Sequence, residues 1–286
     1  MIPALNSALT ISHTLSSIFS NGFPRNLFEV LVIDNGSSDS TVQIARKYPA
    51  EVHHCSERGI GTARNLGIRM AKGDLVCFTD SDCVVERDWL RKISDFFVQN
   101  PGADGVGGPV LPYFNDQNKI QKLTGELFVE DQGYSREIRK LEFGSLRDMI
   151  FGSNSAYKKE ALVSAGLYSE PGGSNLELNW RLMRRSRNLF FNPSIRSRHI
   201  FPWSLEGVLK QQFRWGLQLT HMRRVNGLDE GKVREVGLIS YFLVRRLLSL
   251  LMLKNLDKKM LHFAQLASYS VDRFMAMACN IWMWLQ

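Results

Sequence analysis

Apolar residues follow two alternating periods along the first hundred positions. A helical spacing runs from Asn6 or Ser7, either of which can cap it, to about Ser20, and Phe28-Glu-Val-Leu-Val-Ile33 then reads as a buried strand. Asp39 can cap a helix to Lys47; Val52 to Cys55 is a short strand and Gly61 to Ala71 a helix. Asp74-Leu-Val-Cys-Phe-Thr79 is another buried strand, and Trp89 to Val98 the next helix. This alternation predicts an α/β fold with a mostly parallel sheet and helices on both faces. Beyond residue 100 the pattern loosens into a Gly-rich stretch, Gly102 to Gly108, and a helix from Asp116 to Glu130. Then come a helix opening at Lys158, one from about Leu176 to Arg185, the strand-like Asn192 to Arg198, and a helix from Ser204 to Arg224. A doubly wound sheet opens with a buried central strand, yet Met1-Ile2-Pro3 leaves little chain to form one. The expectation is a first strand that is truncated, or a sheet incomplete at its centre.

Ligands of such sheets sit at the carboxyl ends of the strands. The residues there are small and polar: Asp34-Asn-Gly-Ser-Ser-Asp39 after one strand and Asp80-Ser-Asp82 after another. At the end of an extended strand, side chains at i and i+2 point the same way, so both carboxylates can converge on one divalent cation. Oxygen ligands suit Mg2+ or Mn2+, which would hold the two phosphates of a nucleoside diphosphate. Solvated loop acids and helix capping before Trp89 are the plainer explanation of a lone D-x-D. Asp34 could accept hydrogen bonds from a base or ribose, whereas capping alone explains Asp39. Arg64 lies near a helix start, where free N–H groups and a guanidinium together favour phosphate, although surface arginines are common.

Charge adds a direction to this picture. Residues 1–180 hold 18 Lys/Arg against 22 Asp/Glu, and residues 181–286 hold 18 against 6, so the C-terminal part suits an anionic partner such as a phospholipid surface or a diphosphate. Val236 to Leu253 and Met260 to Leu285 are apolar but carry Arg245-Arg246 and Asp272-Arg273. Such charges at mid-bilayer cost about 2.5–3.5 kcal/mol each, which favours helices lying in the membrane interface over spanning ones. A helical hairpin packed on the domain or on a second subunit, as in a homodimer, is the other reading. Cys55, Cys77, Cys83 and Cys279 form no C-x-x-C pair, so neither a zinc site nor a disulfide framework is indicated, and a reducing compartment fits. The N-terminal residues lack a secretory pattern. No single-strand platform or groove-reading helix for nucleic acid is recognisable.

Several ordered motifs together carry a resemblance. Ile2-Pro-Ala-Leu-Asn6, Val32-Ile-Asp-Asn-Gly-Ser-Ser-Asp39, Gly61-Thr-Ala-Arg-Asn-Leu-Gly67, Lys72-Gly-Asp-Leu-Val-Cys-Phe-Thr-Asp-Ser-Asp82 and Gly152-Ser-Asn-Ser-Ala-Tyr157 resemble the successive motifs of family 2 inverting glycosyltransferases with the GT-A fold. The resemblance spans about residues 2–220. It implies a GT-A domain over 1–225, followed by a helical segment over 226–286 at a membrane interface. It implies donor contacts from Pro3, Asp34 at the nucleoside, Arg64, and Asp80 near the ribose, with Asp82 and His199 on the metal. Gln211-Gln-Phe-Arg-Trp215 resembles the Q-x-x-R-W signature, which implies Gln211 and Arg214 near the diphosphate and Trp215 near the acceptor sugar.

The chain departs from that family at the catalytic base, which takes the acceptor hydroxyl's proton as that oxygen attacks the sugar. The family's Glu-Asp corresponds to Ser174-Asn175 here, and an asparagine accepts no proton at neutral pH. Glu177 as a displaced base, another acid such as Glu170, and a protein that binds its donor but turns over slowly are three ways to read this. The function implied is metal-dependent inverting transfer from an NDP-sugar, UDP-sugar favoured, to a lipid-linked or cell-surface saccharide on the cytoplasmic face of a membrane. A non-catalytic nucleotide-sugar-binding or scaffold protein is the alternative. A nucleotidyltransferase would want a basic phosphate loop at Pro3 to Ser7, which has no basic residue.

Overall fold

A computed structural model describes residues 1–113, 125, 126, 128, 129, 134–143, 150–169 and 175–201. The helices expected at 116–130 and 204–224, Glu170, Gln211, Arg214, Trp215, the boundary at 225 and both C-terminal apolar stretches lie wholly or largely outside the described residues. The described fold falls almost entirely within one compact unit, Met1–Phe114 with Phe128–Phe201.

Strand β1 (Ile2–Ala4) pairs in parallel with β2 (Leu31–Asp34), and β2 pairs in parallel with β3 (Glu51–His54). An opening strand of three residues is therefore present. Three residues suffice because β1 is held from both sides. Asn35 N–H donates to Ala4 O at 2.8 Å, Thr79 N–H donates to Met1 O at 3.3 Å, and the Met1 ammonium donates to Cys77 O at 2.8 Å. The last two bonds make β4 (Leu75–Phe78) abut the three-stranded sheet beside β1.

From β4 onward the sheet is mixed rather than parallel. β4 and β6 (Gly105–Gly107) both run antiparallel to β9 (Ser155–Lys158), which lies between them; β10 (Leu189–Phe191) is parallel to β6 and antiparallel to β8 (Arg139–Lys140). A second sheet orders β5 (Cys83–Val85), β11 (Ser197–His199) and β7 (Val110–Pro112). Of the strand expected at Asn192 to Arg198 only Ser197 and Arg198 are strand, in β11; the residues between β10 and β11 form a turn in which Asn192 Oδ1 accepts from Ser194 N–H at 2.9 Å.

Within the Gly-rich stretch, where the apolar pattern loosens, Gly105–Gly107 form the buried strand β6. A β-carbon on Gly105 would lie 2.5 Å from Tyr157 Cδ1, and one on Gly107 2.6 Å from Ile150 Cγ2. Large neighbours occupy the space that side chains of an ordinary strand would fill, so the strand carries glycine and loses its apolar signature.

Helices cover both faces, as the alternation predicts. Along β2, Leu31 and Ile33 join one core and Val32 the other, the period-2 alternation of a strand. α1 (Ile11–Phe19), α2 (Thr41–Ala45) and α4 (Trp89–Gln99) supply Ile11, Leu15, Ala45, Ile93 and Phe96 to one core. α3 (Ile60–Met70), α5 (Lys159–Ser164) and α6 (Asn175–Arg184) supply Ile68, Leu162 and Leu178 to the other. Each such fully buried large side chain contributes about 1.5–3 kcal/mol. Neither Asn6 nor Ser7 caps α1 by its side chain; the Ser7 carbonyl accepts from Thr10 and Ile11 N–H instead. Asp39 lies one residue before the cap of α2, accepting from Thr41 N–H at 3.0 Å and reaching back to Ala8 N–H at 3.1 Å.

Candidate functional site

The polar residues at the strand ends gather as the topology dictates. Ala4, Asp34 and His54 are register partners at the carboxyl ends of β1, β2 and β3. Asp34 is 4% exposed and its carboxylate accepts from Ser37 N–H at 3.1 Å and Gly36 N–H at 3.3 Å, which folds the following loop over it. His54 Nδ1 stands 3.5 Å from Asp34 Oδ2 at the open edge. Pro3 is buried in β1 opposite Ile33. The loop leaving β1 is tied to Asp80-Ser-Asp82, because Ser7 Oγ and Ser81 Oγ share a hydrogen bond of 2.7 Å.

The two carboxylates of that motif have different partners. Asp80 Oδ1 accepts from Arg64 Nη2 at 3.2 Å, and Arg64 is itself buried, its guanidinium 5.3 Å from the centre of the Tyr168 ring. Asp82 Oδ2 lies 3.4 Å from His199 Nε2. Asp80 is thus paired with Arg64 and Asp82 with His199. Among the described residues the grouping with metal-ligating spacing is Asp82, Cys83 and His199, whose ligand atoms lie within 4.8 Å of one another.

Electrostatics follow this pairing. Removal from water raises the Asp80 carboxyl above its ordinary value, with Arg64 pulling it down and Asp82 pushing it up. Asp82 feels the same desolvation, yet the His199 imidazole beside it holds it below the usual carboxylate range. Burial works against a charged His199, but Asp82 and then Asp80 raise it above the ordinary histidine value. The site thus presents an anionic Asp82 to any cation.

Fit for a divalent ion can be tested on His199. Its Nε2 faces Asp82 Oδ2 at 3.4 Å, where an imidazole and a carboxylate can share a cation, while the other ring nitrogen, Nδ1, is buried with no hydrogen-bond partner among the described residues. The residues present therefore fit a divalent metal, with Asp82 and His199 as holders.

Behind Asp80 lies a buried polar network that sequence reasoning did not resolve. Asn175 Oδ1 accepts from Tyr168 Oη at 3.0 Å, and Asn175 Nδ2 points at Tyr157 Oη (3.3 Å) and Ser155 Oγ (3.4 Å). Tyr157 Oη donates to Asn179 Oδ1 at 2.6 Å. Burial pushes the Tyr168 hydroxyl up to about 12 and that of Tyr157 well above its usual value, so both remain protonated donors. Asn154, completely buried, accepts from Trp89 Nε1 at 2.7 Å and donates to Pro109 O and Ile195 O, which ties α4 to the turns beside β7 and β11. Gly152 is the tightest point: a β-carbon there would meet Arg64 Nη2 at 2.2 Å and Asn175 Oδ1 at 2.7 Å. Arg64, Gly152 and Asn175 are thus immediate neighbours.

Glu177 stands apart from this group. It is 2% exposed, and its carboxylate accepts from Arg181 Nε at 2.7 Å, Arg181 Nη2 at 2.9 Å and Ser169 Oγ at 2.8 Å. Arg181 in turn donates to the carbonyls of Ala165 and Leu167, closing the end of α5. That geometry is a helix-to-loop clamp, with both oxygens engaged.

Comparison with known proteins adds the following. Residues 1–164 match the model of Glycosyl transferase family 2. The chain is similar to the Glycosyltransferase AglE of Haloferax volcanii, 36% identical over 117 residues, 38% of each chain. It is similar to the poly(ribitol-phosphate) beta-N-acetylglucosaminyltransferase TarS of Staphylococcus aureus, 30% identical over 180 residues, 58% of this chain and 30% of TarS. The chain therefore spans about a third of the length of these relatives. Among solved structures it is similar to the mannosyltransferase PcManGT from Pyrobaculum calidifontis in complex with GDP-Man and Mn2+. The TM-score is 0.63 at 18% identity, over 96% of this chain and 81% of that one. It is also similar to S. aureus TarS 1–349 in complex with UDP-GlcNAc, with a TM-score of 0.57 at 17% identity over 85% and 70%. At these identities the likeness is one of fold, and that fold is GT-A.

Proposed function

The chain belongs to glycosyl transferase family 2, and from that membership we propose that it transfers a sugar, with inversion and with a divalent metal, from an NDP-sugar to a saccharide acceptor. The observation that carries this reading is Asp82 facing His199 at 3.4 Å on the open side of a wall made by Arg64 and Asp80. Asp82 and His199 would hold Mg2+ or Mn2+, which supplies positive charge to the diphosphate as it leaves. Arg64 adds a cation behind Asp80, and Asp34, fixed by its own loop, presents a carboxylate edge to the base. A UDP-sugar is the favoured donor, in line with the UDP-GlcNAc in the TarS structure. Pro3 shapes the floor beside Asp34. By family resemblance, Gln211 and Arg214 are assigned to the diphosphate and Trp215 to the acceptor sugar. We further propose a domain over 1–225, with the basic segment over 226–286 resting on an anionic membrane and presenting a lipid-linked or cell-surface acceptor, and a homodimer as the partner state. Among the described residues no helix is long and apolar enough to cross a membrane.

A second reading is favoured by a specific observation, the burial and hydrogen bonding of Asn175 where the family places its base. Tyr168 occupies the amide oxygen, and an amide takes no proton. Arg181 and Ser169 engage both oxygens of Glu177, which in this reading keeps it in a structural role. In this reading the protein binds its donor and transfers slowly. NDP release from a UDP-sugar with Mn2+, with and without acceptor, tests both. Acceptor-dependent release supports transfer; donor binding without release supports the second reading; neither binding nor release dismisses both.

A further inference from the structure

Cys83 has no part in the donor site as proposed, yet the sheet aims it there. In the antiparallel pair of β5 and β11, Cys83 is the register partner of His199. Directly opposed residues of an antiparallel pair project from the same face. Asp82 precedes Cys83, its Oδ1 lying 3.7 Å from Cys83 Sγ while its Oδ2 faces His199 Nε2 at 3.4 Å. A carboxylate oxygen, a sulfur and an imidazole nitrogen thus lie within 4.8 Å of one another. Cys83 is completely buried and His199 is 9% exposed, so the trio is sheltered on one side; His199 turns Nε2 to Asp82, while its Nδ1 has no hydrogen-bond partner among the described residues and the Phe201 ring centre lies 4.7 Å from its own.

The chemistry of the trio differs from that of an oxygen-only cation site. Mg2+ and Mn2+ prefer hard oxygen donors and gain little from sulfur, whereas zinc takes thiolate, imidazole and carboxylate together. We infer that Cys83 turns the position held by Asp82 and His199 into a site for a thiophilic ion, Zn2+ foremost, which competes there with the harder metal of the donor complex. The inference shares Asp82 and His199 with the proposed donor site but does not need sugar transfer to be true. Binding forms a metal–sulfur bond and releases the thiol proton to solvent, with no change of oxidation state. The absence of a C-x-x-C spacing hid this set, because its members come from two strands 116 positions apart in the chain.

Co2+ is the probe, since a thiolate ligand gives it a near-ultraviolet charge-transfer band and visible d–d bands report its geometry. Titration of the full chain is expected to saturate that band at one equivalent; Zn2+ bleaches it and Mg2+ does not. Cys83→Ser is expected to abolish the ultraviolet band while the visible bands remain, with Cys83→Ala as a second variant should serine not fold at this buried position. A band unchanged in a folded variant, or absent from the wild type, overturns the inference. The cadmium-113 resonance of the wild type needs no variant: a downfield shift characteristic of sulfur ligation is expected, and a resonance in the oxygen and nitrogen range contradicts it. Mn2+ binding followed by electron paramagnetic resonance separates two failures. Mn2+ bound at Asp82 without any sulfur signature from cobalt or cadmium leaves the donor site standing and removes Cys83 from it. No binding of any of these ions removes both.

Discussion

Arg64 Nη2 lies 3.2 Å from Asp80 Oδ1, and the guanidinium that makes this bond is 5% exposed. A buried cation thus stands directly behind the first acid of the D-x-D, leaving the second acid, Asp82, free to face His199. Arg64→Ala is expected to weaken NDP-sugar binding about 10- to 100-fold, the range of a charge-assisted hydrogen bond of about 1.5–3 kcal/mol. Isothermal titration calorimetry with Mn2+ present measures this, and an unchanged affinity would place the donor phosphates elsewhere.

Gly152 leaves the room that Arg64 occupies. A methyl group there would lie 2.2 Å from Arg64 Nη2 and 2.7 Å from Asn175 Oδ1, so the arginine must swing away and the asparagine give by a few tenths of an ångström. Gly152→Ala is therefore expected to lower stability by about 1–2 kcal/mol, within the usual range for overpacking, while donor affinity falls nearly as far as in Arg64→Ala. Equal donor affinity in the variant and the wild type would show that Arg64 does not need its present place.

Glu177 holds α6 to the end of α5 through Arg181. Glu177→Gln leaves a largely buried arginine without its counter-charge and is expected to cost about 3 kcal/mol of stability. Donor binding per folded molecule stays the same. Denaturant unfolding and calorimetry check the two halves; a variant as stable as the wild type but devoid of transfer would restore Glu177 as a displaced base.

Asn175 sits where a proton acceptor would serve. Asn175→Asp is expected to raise kcat at least about 100-fold, the lower range for a positioned general base, and to add an acidic limb below which turnover falls as the new carboxylate is protonated. Unchanged turnover in a folded Asn175→Asp variant would show that the proton leaves by another route.

The parts of the fold legible in the sequence are those where packing and local pattern agree. β2 reads as an apolar run because it is buried on both faces and β4 because one face is buried and the other, Leu75 and Cys77, half-buried against apolar neighbours, and α4 reads as a helix because Trp89, Ile93, Phe96 and Phe97 repeat at helical spacing. β6 was illegible because close approach of Tyr157 and Ile150 demands glycine. β1 was masked by its brevity, since its hydrogen bonds come from Asn35 and Thr79, far along the chain. At the candidate site, Asp80 and Asp82 stand out in the sequence by their place after an apolar strand and His199 by the family resemblance, but their pairing does not, because it depends on where Arg64 and β11 dock. The Glu177–Arg181 clamp carried a readable i, i+4 signal. Tyr168, Tyr157 and Cys83 had none, since a buried hydroxyl or thiol looks like core until its neighbours are known.

Heat-stability shifts with UDP-, GDP- and dTDP-sugars, each with Mn2+ and again with a chelator, address the central claim most directly. A ligand at a hundred times its dissociation constant stabilises the folded state by about 2.7 kcal/mol. The expected result is an upward shift with the UDP-sugar that vanishes with the chelator and in His199→Ala. A melting temperature indifferent to every activated sugar, with or without metal, would contradict the account.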